Sequence, residues 1–128
     1  MEQKVYTSFL GDICLNGVYE EMYLRGEKPF DDIVKVFNEG TIVIGNLECF
    51  ARGNDGVNKL KVPRLDTSQE TLNYLKDFNL KIACLANNHV FDHLEDGFEK
   101  TIKSLSDNRI KSLGASLEKK KQLEPLVI

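Results

Sequence analysis

Three short apolar runs, each handing over to polar residues, constrain this chain most. They are Val5–Leu10 (VYTSFL), Thr41–Gly45 (TIVIG) and Leu80–Ala86 (LKIACLA). Runs this short, rich in β-branched and aromatic residues and bounded by glycine or asparagine, predict strands. The second run has no polar alternation, which predicts a strand buried on both faces.

Helical spacing fills the gaps. Phe30, Ile33, Val34 and Phe37 recur at i, i+3, i+4 and i+7, with Pro29 suited to the first turn and Gly40 to the end. Thr67 and Glu70 read as a capping box before a helix whose apolar side carries Leu72, Leu75 and Phe78. Leu94, Phe98, Thr101, Ile102 and Leu105 mark another helix, with Asp92 at its start. Residues 49–66 have no clean period and read as irregular. RIKSLG predicts a fourth strand and PLVI the start of a fifth. The order β-α-β-α-β-α-β, with crossovers long enough for helices, predicts one α/β domain over residues 1–128 with a mainly parallel sheet and flanking helices.

Composition narrows the partners. A net charge of −3 argues against broad nucleic-acid binding, which calls for a basic surface. No apolar run reaches the roughly 20 residues that span a bilayer. The amino terminus lacks a signal peptide's basic start and long apolar stretch. Three cysteines without scaffold spacing suit a reducing cytoplasm, which is the expected location.

Ligands of open parallel sheets bind beyond the carboxyl ends of the strands. Gly11-Asp12 follows the first strand, Gly45-Asn46-Leu47-Glu48 the second and Asn87-Asn88-His89 the third. These are oxygen and nitrogen donors suited to Mg²⁺, Mn²⁺, Zn²⁺ or iron. Each motif alone has a plain structural reading: Gly-Asp as a turn, Asn-Asn-His as a helix cap, His89 as a satisfied core group. Their joint placement favours a site. Cys84 reads as a small core hydrophobe and Cys14 and Cys49 as bystanders near the site. Lys61 and Arg64, with Lys59, either reach an anionic substrate or solubilise a loop; both readings stay open. The Lys119-Lys120-Lys121 run reads as a solvated helix face.

The segments FLGDICLNG, IVIGNLECF and LANNHVFDHLEDGFEKTIKSL, with Gly114-Ala115 and the closing PLVI, resemble the CapA family of poly-γ-glutamate capsule-synthesis proteins. That family has a calcineurin-like metallophosphoesterase fold. The resemblance runs along essentially the whole chain in the family's order. It implies that Asp12, Asn46, Glu48 and Asn88 bind a divalent metal ion. It implies further that His89 contacts substrate or protonates the leaving group; Asn87, Lys61 and Arg64 are the candidate substrate-binding residues. Expected partners are a phosphoester or polyanionic substrate and subunits of a capsule or polymer synthesis complex.

Departures from the pattern bear on activity. Cys14 stands where phosphoesterases carry a histidine, Asn46 where they carry an aspartate, and His93 and Leu94 where the family shows Tyr and Gly. Family members also continue past this point, and their further metal-binding histidines come from that later half. The chain is therefore expected to be an N-terminal portion that holds metal poorly alone and needs another segment or chain to cover its sheet. Two functions follow: a metal-dependent phosphoester hydrolase of capsule or poly-γ-glutamate synthesis, or a non-enzymatic accessory or ligand-binding subunit of a surface-polymer synthesis complex.

Overall fold

A computed structural model describes residues 4–128. Four strands form one wholly parallel sheet in the order β1-β2-β5-β6: β1 (Thr7–Ile13), β2 (Ile42–Leu47), β5 (Leu80–Cys84) and β6 (Lys111–Leu113). Two two-residue strands, β3 (Phe50–Ala51) and β4 (Asp66–Thr67), pair in parallel as a separate ribbon. The helices are α1 (Val18–Leu24) and α2 (Leu94–Asp107), with 3₁₀ segments at Asp31–Val36, Thr71–Lys76 and Lys121–Leu123. The α/β architecture with a parallel sheet and flanking helices is the one the periodicities predict.

One face of the sheet packs the core. Val43 and Leu47 from β2, Leu80 and Ala83 from β5, Leu72, Tyr74 and Leu75 from the second 3₁₀ segment, and Phe98 and Leu105 from α2 share one buried cluster. At the roughly 25 cal/mol per Å² that buried apolar surface contributes, this cluster is the main source of stability. α2 comes unusually close to β3. A Cβ placed on Gly97 would stand 2.6 Å from the Ala51 carbonyl oxygen. The missing side chain lets Thr101 Oγ1 accept the Ala51 N–H at 2.8 Å.

The opposite face is only partly covered: Ile82 of β5, beside Ile44, is buried, but its surroundings are not. β2 alternates buried and half-buried residues, with Ile42, Ile44 and Asn46 half-exposed, and Phe9 of β1 is 77% exposed. The reading of β2 as buried on both faces is corrected: Val43 and Leu47 are fully buried, whereas Ile42 and Ile44 are only half-buried.

Other boundaries move for physical reasons. β1 begins two residues later than its apolar run and continues through Gly11-Asp12, because a bulge between Phe9 and Asp12, with Gly11 at φ +68°, absorbs an extra residue. The helices read at 30–37 and after Thr67 are single 3₁₀ stretches. Thr67 is no helix cap; it sits in β4 and its hydroxyl donates to the Leu15 carbonyl at 2.7 Å. Ser68, two residues before the Glu70 cap position, accepts the Thr71 N–H with its Oγ at 3.1 Å. α2 starts at Leu94, not Asp92, and of its apolar stripe Phe98 and Leu105 are buried while Leu94 is 37% exposed. PLVI forms no strand. α1 and the β3–β4 ribbon lie in stretches where no period is visible.

Candidate functional site at the carboxyl edge of the sheet

Because the four strands are parallel, β1, β2 and β5 end on one edge, and that edge gathers the polar residues. Asn87, just past β5, is fixed first. Its Nδ2 donates to the Leu47 carbonyl at 2.8 Å, and its Oδ1 accepts the His89 N–H at 3.0 Å. Two backbone partners of opposite kind leave the amide one orientation. The same Nδ2 reaches Asn46 Oδ1 at 3.1 Å. Asn46 must therefore turn its own Nδ2 the other way, to Asp12 Oδ1 at 2.8 Å and Glu48 Oε1 at 3.4 Å. A continuous chain of contacts thus crosses three strand ends, from Asp12 and Glu48 through Asn46 and Asn87 to the backbone of His89.

His89 and Asp92 form a second, buried unit. His89 Nδ1 and Asp92 Oδ2 lie 2.7 Å apart, and Asp92 Oδ2 also accepts the Leu65 N–H at 2.7 Å. The carboxylate thereby fixes the ring: Nδ1 faces Asp92, and Nε2 makes no hydrogen bond among the described residues. Asp92 Oδ1 is buried without a partner among the described residues. The Asp92 carbonyl accepts the Asn58 N–H at 3.0 Å, so the 52–65 loop is pinned against this pair. The sequence showed Asp92 only as a helix start; nothing in a linear pattern reveals that Leu65, 27 residues earlier, supplies its amide.

The remaining candidates stand apart from that chain. Asn88 is exposed and, with Asn87, lines a shallow cavity of about 380 Å³ that also meets Gly114, Ala115 and Gln122. Arg64 spends its guanidinium on the loop's own Lys61 and Asn58 carbonyls, at 2.9 and 3.4 Å. Lys61 is half-buried in the same loop. No hydrogen bond among the described residues joins either side chain to Asp12, Asn46 or Glu48.

Beneath the edge lies an ionic cluster. Glu20 on α1 is paired with Arg52 and accepts the Ser68 N–H at 2.7 Å, while Arg52 also reaches Asp66 at 2.8 Å. Burial pushes the Glu20 carboxyl up, but hydrogen bonds from Arg52 and Ser68 outweigh it and hold it below its ordinary value. Asp66 follows the same pattern: burial is outweighed by Arg52 and by the nearby His93. His93 Nε2 lies 3.2 Å from Asp66 Oδ2 but is not aligned for a hydrogen bond.

Cys14 and Cys49 meet where β1 and β2 leave the sheet. Each thiol is the main influence on the other: Cys49 holds Cys14 below the ordinary thiol range, and Cys14, helped by burial, raises Cys49 well above it. Leu15 N–H donates to Cys49 Sγ at 3.1 Å. Cys84 lies half-buried within β5, a less sheltered position than its reading as a core hydrophobe implies.

Residues 7–128 match the bacterial capsule synthesis protein family PGA_cap. The chain belongs to that family. It is also similar to the PGA biosynthesis protein CapA of Bacillus subtilis (strain 168), with 26% identity over 111 residues. The matched stretch covers 84% of this chain and 29% of the CapA protein, so the chain spans under a third of the relative it matches.

The family resemblance implies a metal, and the residues can be tested for it. Among the described residues no three His, Cys, Asp or Glu side chains group closely enough to hold an ion. Two carboxylates, Asp12 and Glu48, share the edge. The position between them is taken by an amide nitrogen, a donor that binds no cation. Four to six ligands are the usual need. The donor set of this PGA_cap chain does not by itself fit a complete metal centre. Among the described residues no helix is long and apolar enough to cross a membrane.

Proposed function

We propose that this PGA_cap chain serves surface-polymer synthesis by holding a ligand at the carboxyl edge of its sheet, without turnover of its own. The observation that carries the reading is the orientation of Asn46. With its Nδ2 between Asp12 and Glu48, the edge carries a shared N–H donor between its two carboxylates, where a metal centre would place its cation. Two carboxylates flanking an amide suit the N–H and O–H groups of a polymer backbone or its precursor, and the asparagines give it polar reach without added charge. The reading places the chain in the cytoplasm, which suits a fold whose three cysteines are free.

A second reading is favoured by the His89–Asp92 pair. An imidazole oriented through Nδ1, with Nε2 left to carry a proton, is the arrangement of a general acid, and it fits phosphoester hydrolysis if further donors from outside the described residues complete a metal centre.

One experiment separates the two. Amide spectra of the ¹⁵N-labelled chain are recorded during titration with a short γ-glutamate oligomer, with and without Mn²⁺. Shifts at the Asn46 and Asn87 side-chain amides without metal support the ligand-holding role. No response in the absence of metal, with Mn²⁺-dependent cleavage of a phosphodiester probe, would support the hydrolytic reading instead.

A further inference from the structure

Cys14 and Cys49 are absorbed by neither reading, yet they are the pair of thiols the fold brings together. They lie 35 positions apart in sequence and become neighbours because Ile13 of β1 pairs with Leu47 of β2, so the residues that follow leave the sheet side by side. The backbone records the meeting. Glu48 N–H still reaches the Ile13 carbonyl at 3.0 Å, but the next rung is lost: Leu15 N–H goes to Cys49 Sγ at 3.1 Å in place of a backbone carbonyl. The sulfur therefore points across the strand pair towards the chain that carries Cys14. The two thiols differ in access, Cys14 being half-buried and Cys49 fully buried.

We infer that Cys14 and Cys49 are a redox modification site, closed to an intramolecular disulfide by a low-molecular-weight disulfide oxidant. The accessible Cys14 reacts first. Its sulfur attacks one sulfur of the oxidant, breaks the S–S bond, and releases one molecule of small thiol bearing a proton. Cys49, which the oxidant cannot reach, then attacks the Cys14 sulfur of the mixed disulfide and expels the second small thiol. The net change is two protein thiols and one small disulfide giving one protein disulfide and two small thiols. The register sets Leu15 level with Cys49 and Cys14 one position earlier, so closing the bridge calls for a small local shift to bring the two Cα atoms within the roughly 7 Å that a disulfide spans. A cytosolic disulfide of this kind is characteristically transient and redox-sensing. It would also tie together the two strand ends that carry Asp12 and Glu48, two residues before Cys14 and one before Cys49, so the oxidised chain has a fixed carboxylate edge. This inference is independent of either functional reading.

The test exposes the folded chain to glutathione disulfide, blocks free thiols with iodoacetamide, and maps the tryptic peptides by mass. Cys14, Cys49 and Cys84 fall on different tryptic peptides, so Cys84 does not confuse the count. The expected result is a Cys14–Cys49 cross-linked peptide that dithiothreitol removes. In Cys49→Ser the reaction should stop with glutathione on Cys14, and in Cys14→Ser Cys49 should stay unmodified because it is buried. Wild-type chain that keeps both thiols free, or that retains glutathione on Cys14 without cross-linking, would overturn the inference.

Discussion

Asn46 Nδ2 stands 2.8 Å from Asp12 Oδ1 and 3.4 Å from Glu48 Oε1, and Asn87 leaves it no other orientation. The amide does for this pair of carboxylates part of what a cation would do. Like charges at neighbouring strand ends repel, and a shared N–H donor relieves that repulsion at no cost in net charge.

Asn46→Asp should therefore reverse the balance. It replaces the shared donor by a third carboxylate and should destabilise the metal-free chain by up to roughly 1 kcal/mol, a modest figure because the Asn46–Asp12 contact is exposed. It should also bind Mn²⁺ about tenfold tighter or more, since affinity for hard cations rises with the number of charged oxygen ligands. Urea unfolding with and without Mn²⁺ measures both. A variant that is as stable as wild type and indifferent to Mn²⁺ would show that the three side chains do not act together.

Removal of the His89 ring tests the buried pair. His89→Ala leaves Asp92 with one backbone donor and should cost roughly 1–3 kcal/mol for a buried polar group losing its partner. Asp92→Asn should cost less, because an amide oxygen still accepts the Leu65 N–H. Equal losses in the two variants would mean that packing, not the His89–Asp92 contact, sets the cost.

Gly97→Ala should be costly although alanine favours helices. The new Cβ would meet Ala51 O at 2.6 Å and His93 Cβ at 2.5 Å, and the first is backbone that cannot rotate away. Overpacking of this kind typically costs about 1–3 kcal/mol, against the roughly 1 kcal/mol of helix propensity gained, and the backbone contact puts this case at the upper end. Thermal unfolding decides the sign; a stabilised variant would mean that α2 can slide off β3.

Stability should fall on acidification through the Glu20 cluster. The folded-state carboxyls of Glu20 and Asp66 sit below their ordinary values. Their stabilising effect is fully present above the unfolded-state carboxylate range near pH 4, and is lost as pH falls through the lowered folded values. Glu20→Gln should flatten that acid limb and cost roughly 1 kcal/mol at neutral pH, a modest figure because Arg52 is 44% exposed. An acid limb unchanged in Glu20→Gln would move the effect to other carboxylates.

How far the sequence exposed this arrangement depends on whether the signal was local. The sheet was legible because Ile42–Leu47 and Leu80–Cys84 are short, β-branched or apolar, and bounded by turn formers. The strand-end residues were legible for the same reason. The one-sided burial of β2 was not, since Ile44 is apolar whether or not anything covers it. α1 carries a local signal at its end: Gly26, at φ +83°, donates its N–H to the Tyr23 carbonyl at 2.9 Å, a helix-terminal glycine after two early glutamates. The role of Asp92 and the meeting of Cys14 with Cys49 depend on contacts between distant segments, and no periodicity carries them.

The most direct measurement is the metal content of the chain after dialysis against Mn²⁺ and gel filtration. The account predicts well under one equivalent retained by wild type, and more in Asn46→Asp. Two equivalents held by the wild-type chain, together with phosphodiester turnover that a chelator abolishes, would contradict it and show that Asp12, Glu48 and their neighbours make a working metal centre.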